Sequence, residues 1–154
     1  MKWVVLQQGP SSVEVNRDTL RIATKLFADE IAKANARPAL FSAWPTAARR
    51  EDFPRAIESY TLAAADVNGI LLPVATAWLA VLNASPTVAL YADPLHPSIE
   101  GAYLSALVVY AQLLEKTPKG LPATLRLASG RTLVIDPAIA ALLQQAAAEA
   151  FGRH

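Results

Sequence analysis

Three short runs of almost uninterrupted apolar residues, separated by stretches with helical periodicity, constrain the fold of this chain more than any other feature. The first is Trp3-Val4-Val5-Leu6, the second occupies residues 39–44 between Pro38 and Pro45, and the third is Ile70-Leu71-Leu72-Pro73-Val74 after Gly69. Successive residues of a strand point to opposite faces, so a strand that is apolar at every position belongs inside a sheet covered on both sides, the usual situation of parallel strands.

The intervening segments carry a different period. Residues 18–34, with Asn16 as a candidate cap, place Leu20, Ala23, Leu26, Phe27, Ile31 and Ala34 three and four apart, which predicts an amphipathic helix. Residues 50–68 set Phe53, Ile57, Tyr60 and Ala64 against Glu51, Arg55 and Glu58, and Pro54 fits the first turn, where no backbone donor is lost. Residues 75–82 read as a short helix, 83–87 as a turn and 88–91 as a brief extended piece. Ser98 caps a helix over 99–115, with Gly101 one turn in; this helix is apolar nearly all round and should be buried on more than one side. Segments 124–127 and 131–135 flank Ser129-Gly130 as a hairpin, and residues 137–151, rich in Ala and Leu, form a last helix. The alternation predicts an α/β layered domain on a mainly parallel sheet, without internal repeats. Chemistry in such folds sits at the carboxyl ends of strands, here residues 7–12, 44–48 and 91–98.

Composition narrows the possible functions. A chain of 154 residues reads as one domain and can remove roughly two-thirds of its unfolded surface from water without a disulfide or metal. The absence of cysteine excludes a disulfide framework, a thiolate zinc site and a cysteine nucleophile. A net charge of +1, with Arg49-Arg50 the only adjacent basic pair, leaves no electrostatic footprint for nucleic acid. No segment reaches the roughly 20 apolar residues of a membrane span, and the apolar stretch after Lys2 is too short for a signal peptide, so a cytoplasmic location is expected. With 53% hydrophobic residues and 18% charged ones, against the roughly 25% charged of an ordinary domain, some apolar surface is expected to face another chain.

Two histidines are present, and His154 is the terminal residue, expected to fray. His96 is therefore the interior imidazole, three residues after Asp93 and between Pro94 and Pro97. A D-x-x-H spacing lets the carboxylate fix the imidazole tautomer while the other ring nitrogen faces a nucleophile; it equally suits a capped turn. Trp44 is either a pocket wall or core, Trp78 reads as core, and residues 49–52 read as a solvated helix start. Asp66 and Glu100 have no partner at metal-ligand spacing, and neither a metal nor a cofactor is called for.

Asp93-Pro94-Leu95-His96-Pro97-Ser98, followed by Gly101, Tyr103 and Leu104, resembles the last block of the SGNH (GDSL-like) hydrolases, D-x-x-H-P-S-x-x-G-x-Y-L, with seven positions in register. Residues 4–12 look like the strand and loop that carry the family's third block, G-x-N-D or Q-G-E-S-N, and residues 40–45 are similar to the strand that follows in one bacterial branch. The resemblance covers about residues 3–122, leaving 123–154 as a hairpin and terminal helix. It implies a three-layer, flavodoxin-like sheet with helices on both faces and an esterase acting on small carboxylic esters or acetylated sugars. Within that reading His96 is the general base and Asp93 its orienting acid.

Two departures matter. No G-D-S or G-N-S occurs, so the family's nucleophile block and first strand are missing and the fold is expected to be N-terminally truncated. The family's oxyanion asparagine is replaced by Ser12 or Ser11. Either serine could be a substitute nucleophile, a polar loop residue or plain turn chemistry, and Gln8 and Gly9 could supply oxyanion donors. The competing reading is a catalytically inactive module that keeps the fold and binds a ligand or partner. A lost strand leaves an open sheet edge, which predicts a homo-oligomer covering it. Full-length relatives of this kind include exported proteins.

Overall fold

The computed structural model describes residues 1–152; His154 lies outside the described residues. The chain divides into two compact units, Met1–Ala75 and Thr76–His154.

The first unit holds a three-stranded parallel sheet in the order β1-β2-β3, formed by β1 (Lys2–Leu6), β2 (Ala36–Phe41) and β3 (Ile70–Leu72). Leu6 pairs with Leu40, and Leu40 in turn with Leu71, so the apolar centres of the three runs lie in register. The strands are joined by α1 (Glu14–Lys33) and α2 (Phe53–Asp66). The core between helices and sheet is Leu20, Leu40, Tyr60, Ala63, Ala64 and Leu71. Each large apolar side chain buried there contributes about 1.5–3 kcal/mol. The two helices are also tied by a bidentate ion pair, Arg21 Nε and Nη2 to the Asp66 carboxylate at 2.7 and 2.9 Å.

The second unit contains α4 (Ile99–Leu114), packed along α5 (Pro137–Phe151), and an antiparallel hairpin of β4 (Thr124–Arg126) and β5 (Thr132–Val134). A further helix, α3 (Val74–Ala84), crosses the boundary between the units. Gln144 organises the approach to α5: its side-chain amide donates to Tyr103 Oη (2.9 Å) and Leu121 O (2.7 Å), and its oxygen accepts Gly120 N–H.

Several sequence expectations shift. The first helix begins four residues early, with Val13 at the N-cap and no side-chain cap, so Asn16 lies inside the helix. Leu26 and Phe27, expected in the core, are 69% and 56% exposed. Strand β2 is displaced towards Ala36, because residues 42–44 already leave the sheet, the Ser42 hydroxyl donating to Leu72 O and accepting Ala75 N–H. Residues 47–52 form a separate 3-10 turn before α2. The extended piece at 88–91 reduces to a single bridge between Tyr91 and Pro97. Asn68, in the left-handed region at φ 48°, ends the turn after α2. Gly69 is needed next to it, because a Cβ there would lie 2.9 Å from Pro38 O.

Candidate functional site

The chemistry-bearing residues fall into two clusters, one in each unit. In the second unit, residues 91–98 form a tight loop closed by Ala92 N–H to His96 O (2.9 Å) and Ser98 N–H to Leu90 O (2.8 Å). Asp93 Oδ1 accepts the backbone N–H groups of Leu95 (2.8 Å) and His96 (2.7 Å), and Oδ2 lies 2.7 Å from His96 Nδ1. Both expected roles of the D-x-x-H spacing are thus present together, turn cap and imidazole partner. The two backbone donors and the imidazole hold the Asp93 carboxyl down at about 2. An ionised Asp93 only accepts, so the contact takes its proton from Nδ1, on a side chain that is 71% exposed.

The rest of the motif supports this loop. Ser98 caps α4 by accepting Gly101 N–H (3.0 Å) while donating to Ala89 O (2.6 Å). Gly101 is sterically required, since a Cβ there would lie 2.2 Å from Leu90 O and 2.8 Å from the Trp78 ring. Trp78 is fully buried, donates to Ser105 Oγ (3.1 Å) and packs edge-on against Tyr91. It is a core residue.

In the first unit, the loop after β1 brings Gln8, Gly9, Ser11 and Ser12 together. Ser11 is 3% exposed and sits at φ 55°, a left-handed conformation that costs a non-glycine residue roughly 1 kcal/mol. Its hydroxyl donates to Gly9 O (3.0 Å) and accepts from Gln8 Nε2 (2.9 Å), while Ser59 Oγ donates to Ser11 O (2.7 Å). Gln8 is fully engaged: its second amide hydrogen goes to Asn16 O, and its backbone N–H goes to Tyr60 Oη. Tyr60 Oη in turn donates towards Gln8 O (2.5 Å) and Gly9 O (3.0 Å), and burial raises this phenol to about 12. Of the expected oxyanion donors, Gly9 alone keeps an approachable backbone, with open space where a Cβ would stand.

Ser12 donates to Asp52 Oδ2 at 3.1 Å. Asp52 was expected on a solvated helix start, but it is 1% exposed and ion-paired to Arg49 (2.5 Å) and to Arg55. Arg55, followed by Ser12 and Arg49, holds its carboxyl below the ordinary range. The signal was legible as an aspartate with an arginine three residues to either side. These groups border a cleft of about 200 Å³ lined by Pro10, Ser11, Ser12, Pro45, Thr46 and Arg49. Arg49 and Asp52 both line this cleft, so its charge is the balanced charge of their ion pair. Trp44 lies half-buried, edge-on to Phe41 at 6.3 Å. Among the described residues no three His, Asp or Glu side chains converge as a metal site. No described helix is long and apolar enough to cross a membrane.

No family model matches this sequence, and no curated protein matches it. A solved structure is similar in fold: a DUF4886 family protein from Bacteroides uniformis ATCC 8492 superposes with a TM-score of 0.79 at 16% identity, over 99% of this chain and 62% of that one. At that identity the likeness speaks for the fold alone, an α/β domain, and this chain spans somewhat under two-thirds of its neighbour's length.

Proposed function

We propose that the chain is an ester hydrolase of the SGNH-like kind, in which His96 is the general base and Asp93 its orienting partner. The observation that carries this reading is the 2.7 Å contact between His96 Nδ1 and an Asp93 carboxylate already pinned by two backbone N–H groups. In the proposed reaction a serine hydroxyl gives its proton to His96 Nε2 as its oxygen bonds to the acyl carbon. The imidazolium, held against Asp93, then returns that proton to the departing alcohol, and water repeats the sequence to release the acid. Small carboxylic esters or acetylated sugars are the proposed substrates, and Ser11 and Ser12 are the serines to be tested as the source of that hydroxyl. Labelling with a fluorophosphonate tests the assignment. A stoichiometric adduct on Ser11 or Ser12, lost in His96→Ala, is expected; an unlabelled chain would overturn it.

A second reading, a ligand-binding module without turnover, is favoured by a specific observation. Both serine protons are committed within their own unit, Ser11 to Gly9 O and Ser12 to Asp52. This reading expects no adduct and no ester turnover, with ligand-induced thermal stabilisation instead.

A further inference from the structure

The turn between α2 and β3 holds the one asparagine of the chain that is followed by glycine, Asn68-Gly69; Asn16, Asn35 and Asn83 precede larger residues. Two separate needs of the fold put the pair there. Asn68 stands at φ 48°, a left-handed conformation that asparagine tolerates better than most residues. Gly69 is imposed by packing, because a Cβ would lie 2.9 Å from Pro38 O and 3.3 Å from the Leu40 side chain. Asn35 occupies the corresponding place after α1, at φ 52°, but Ala36 follows it.

Asparagine is a thermolabile residue, and a following glycine leaves the next main-chain nitrogen unshielded by any Cβ. Once that nitrogen loses its proton to base, it attacks the asparagine Cγ and expels ammonia, closing a succinimide. Water then opens the ring to aspartate or, with the main chain re-routed through the side chain, to isoaspartate. The folded turn opposes the first step. Gly69 N–H donates to Ala64 O at 2.9 Å, which holds its proton. Asn68 O accepts Arg37 Nη2 at 3.1 Å, so the peptide plane between the two residues is fixed from both sides. Ring closure rotates this plane about the Asn68 Cα–C bond, breaks both hydrogen bonds and lifts Gly69 off Pro38. The Asn68 side chain itself borders an open cleft with Lys25, Asp29 and Asp66, where base and water have access.

We infer that Asn68-Gly69 is a deamidation site gated by the fold, silent while the α2–β3 turn is closed and reactive when it opens. The isoaspartate product adds a carbon to the main chain two residues before Ile70, which pairs with Ala39, and Leu71 and Leu72 are buried immediately beyond. A turn that has reacted therefore cannot close again in register, and a transient opening becomes a permanent loss of β3. The inference involves no residue of the proposed hydrolase and stands whether or not the chain turns over esters.

The test incubates the intact chain at mildly alkaline pH, with and without denaturing urea, and follows Asn68 by peptide mass spectrometry. Conversion to aspartate and isoaspartate should be at least ~10-fold faster in urea, the protection of a turn whose opening costs ~1.4 kcal/mol or more. Returned to native buffer, the aged chain should melt at a lower Tm than the fresh one. Asn68→Gly, which keeps the left-handed backbone, should hold its Tm through the same incubation and so separate deamidation from other ageing. Equal rates with and without urea, no reaction at Asn68 in urea, or an isoaspartyl chain that regains the fresh Tm would each overturn the inference.

Discussion

Ser12 and Asp52, forty residues apart, are joined by a 3.1 Å hydrogen bond that ties the loop after β1 to the start of α2. Asp52 is buried with Arg49 and Arg55 on its carboxylate, so this contact belongs to a network. Removing the acid takes the shared acceptor from Arg49, Arg55 and Ser12 at once, whereas removing the Ser12 hydroxyl leaves the ion pairs intact. Asp52→Ala should therefore lower the thermal unfolding midpoint by several degrees, and Ser12→Ala by clearly less. Equal losses in the two variants would mean that the network does not hold the loop.

Tyr60 makes a second anchor for the same loop. Tyr60→Phe keeps the ring in the core but deprives Gln8 of a partner for its N–H and its carbonyl. A cost of about 1–3 kcal/mol is expected, as for other buried groups left unpaired. Amide exchange at Gln8 should accelerate with it. Unchanged exchange would show that the Tyr60 hydroxyl is dispensable to the loop.

Gly101 separates steric need from chemistry in the D-x-x-H-P-S-x-x-G motif. An alanine Cβ would press on the Leu90 carbonyl, which is backbone and cannot swing away, and on the Trp78 ring. Gly101→Ala should cost about 3 kcal/mol, at the upper end for overpacking. Chemical denaturation measures this directly, and a cost below about 1 kcal/mol would contradict the packing described around Trp78.

The Asp93 loop has a defined acid limit. Because the folded Asp93 carboxyl sits at about 2, below its ordinary 3.8, the folded state binds fewer protons than the unfolded one through that interval. The stabilisation from its three hydrogen bonds is present in full above the ordinary value and is lost as pH falls through about 2. A carbon-13 titration of the Asp93 carboxyl should show a midpoint near 2, and a midpoint near 3.8 would mean that the turn does not persist in solution.

The period of the sequence made most of the fold legible. Continuous apolar runs gave the three strands, and the last helix was read at its observed bounds because Asp136-Pro137 marks its start plainly, the Asp136 side chain accepting Ala138 and Ile139 N–H. Boundaries failed where tertiary contacts decide them, as at Ser42, whose N–H and hydroxyl both donate to Leu72 O as the chain leaves the sheet. Leu26 and Phe27 satisfied the helical period but face outward, since periodicity reports which residues share a face and not what covers that face. At the site, Asp93 and His96 were legible from spacing because their contact is local. At Asp52 the flanking Arg49 and Arg55 were a local signal, while its contact with Ser12, forty residues away, had none. The engagement of Gln8 by Tyr60 and Asn16 likewise has no local signature.

The most direct test of the central claim compares the hydrolysis of p-nitrophenyl acetate by the native chain, His96→Ala and Asp93→Asn. If His96 is the general base, its alanine variant should lose about 100-fold or more in kcat/KM, while Asp93→Asn retains intermediate activity. Equal rates in all three, at the level of buffer, would contradict the assignment of His96 and Asp93 to ester hydrolysis.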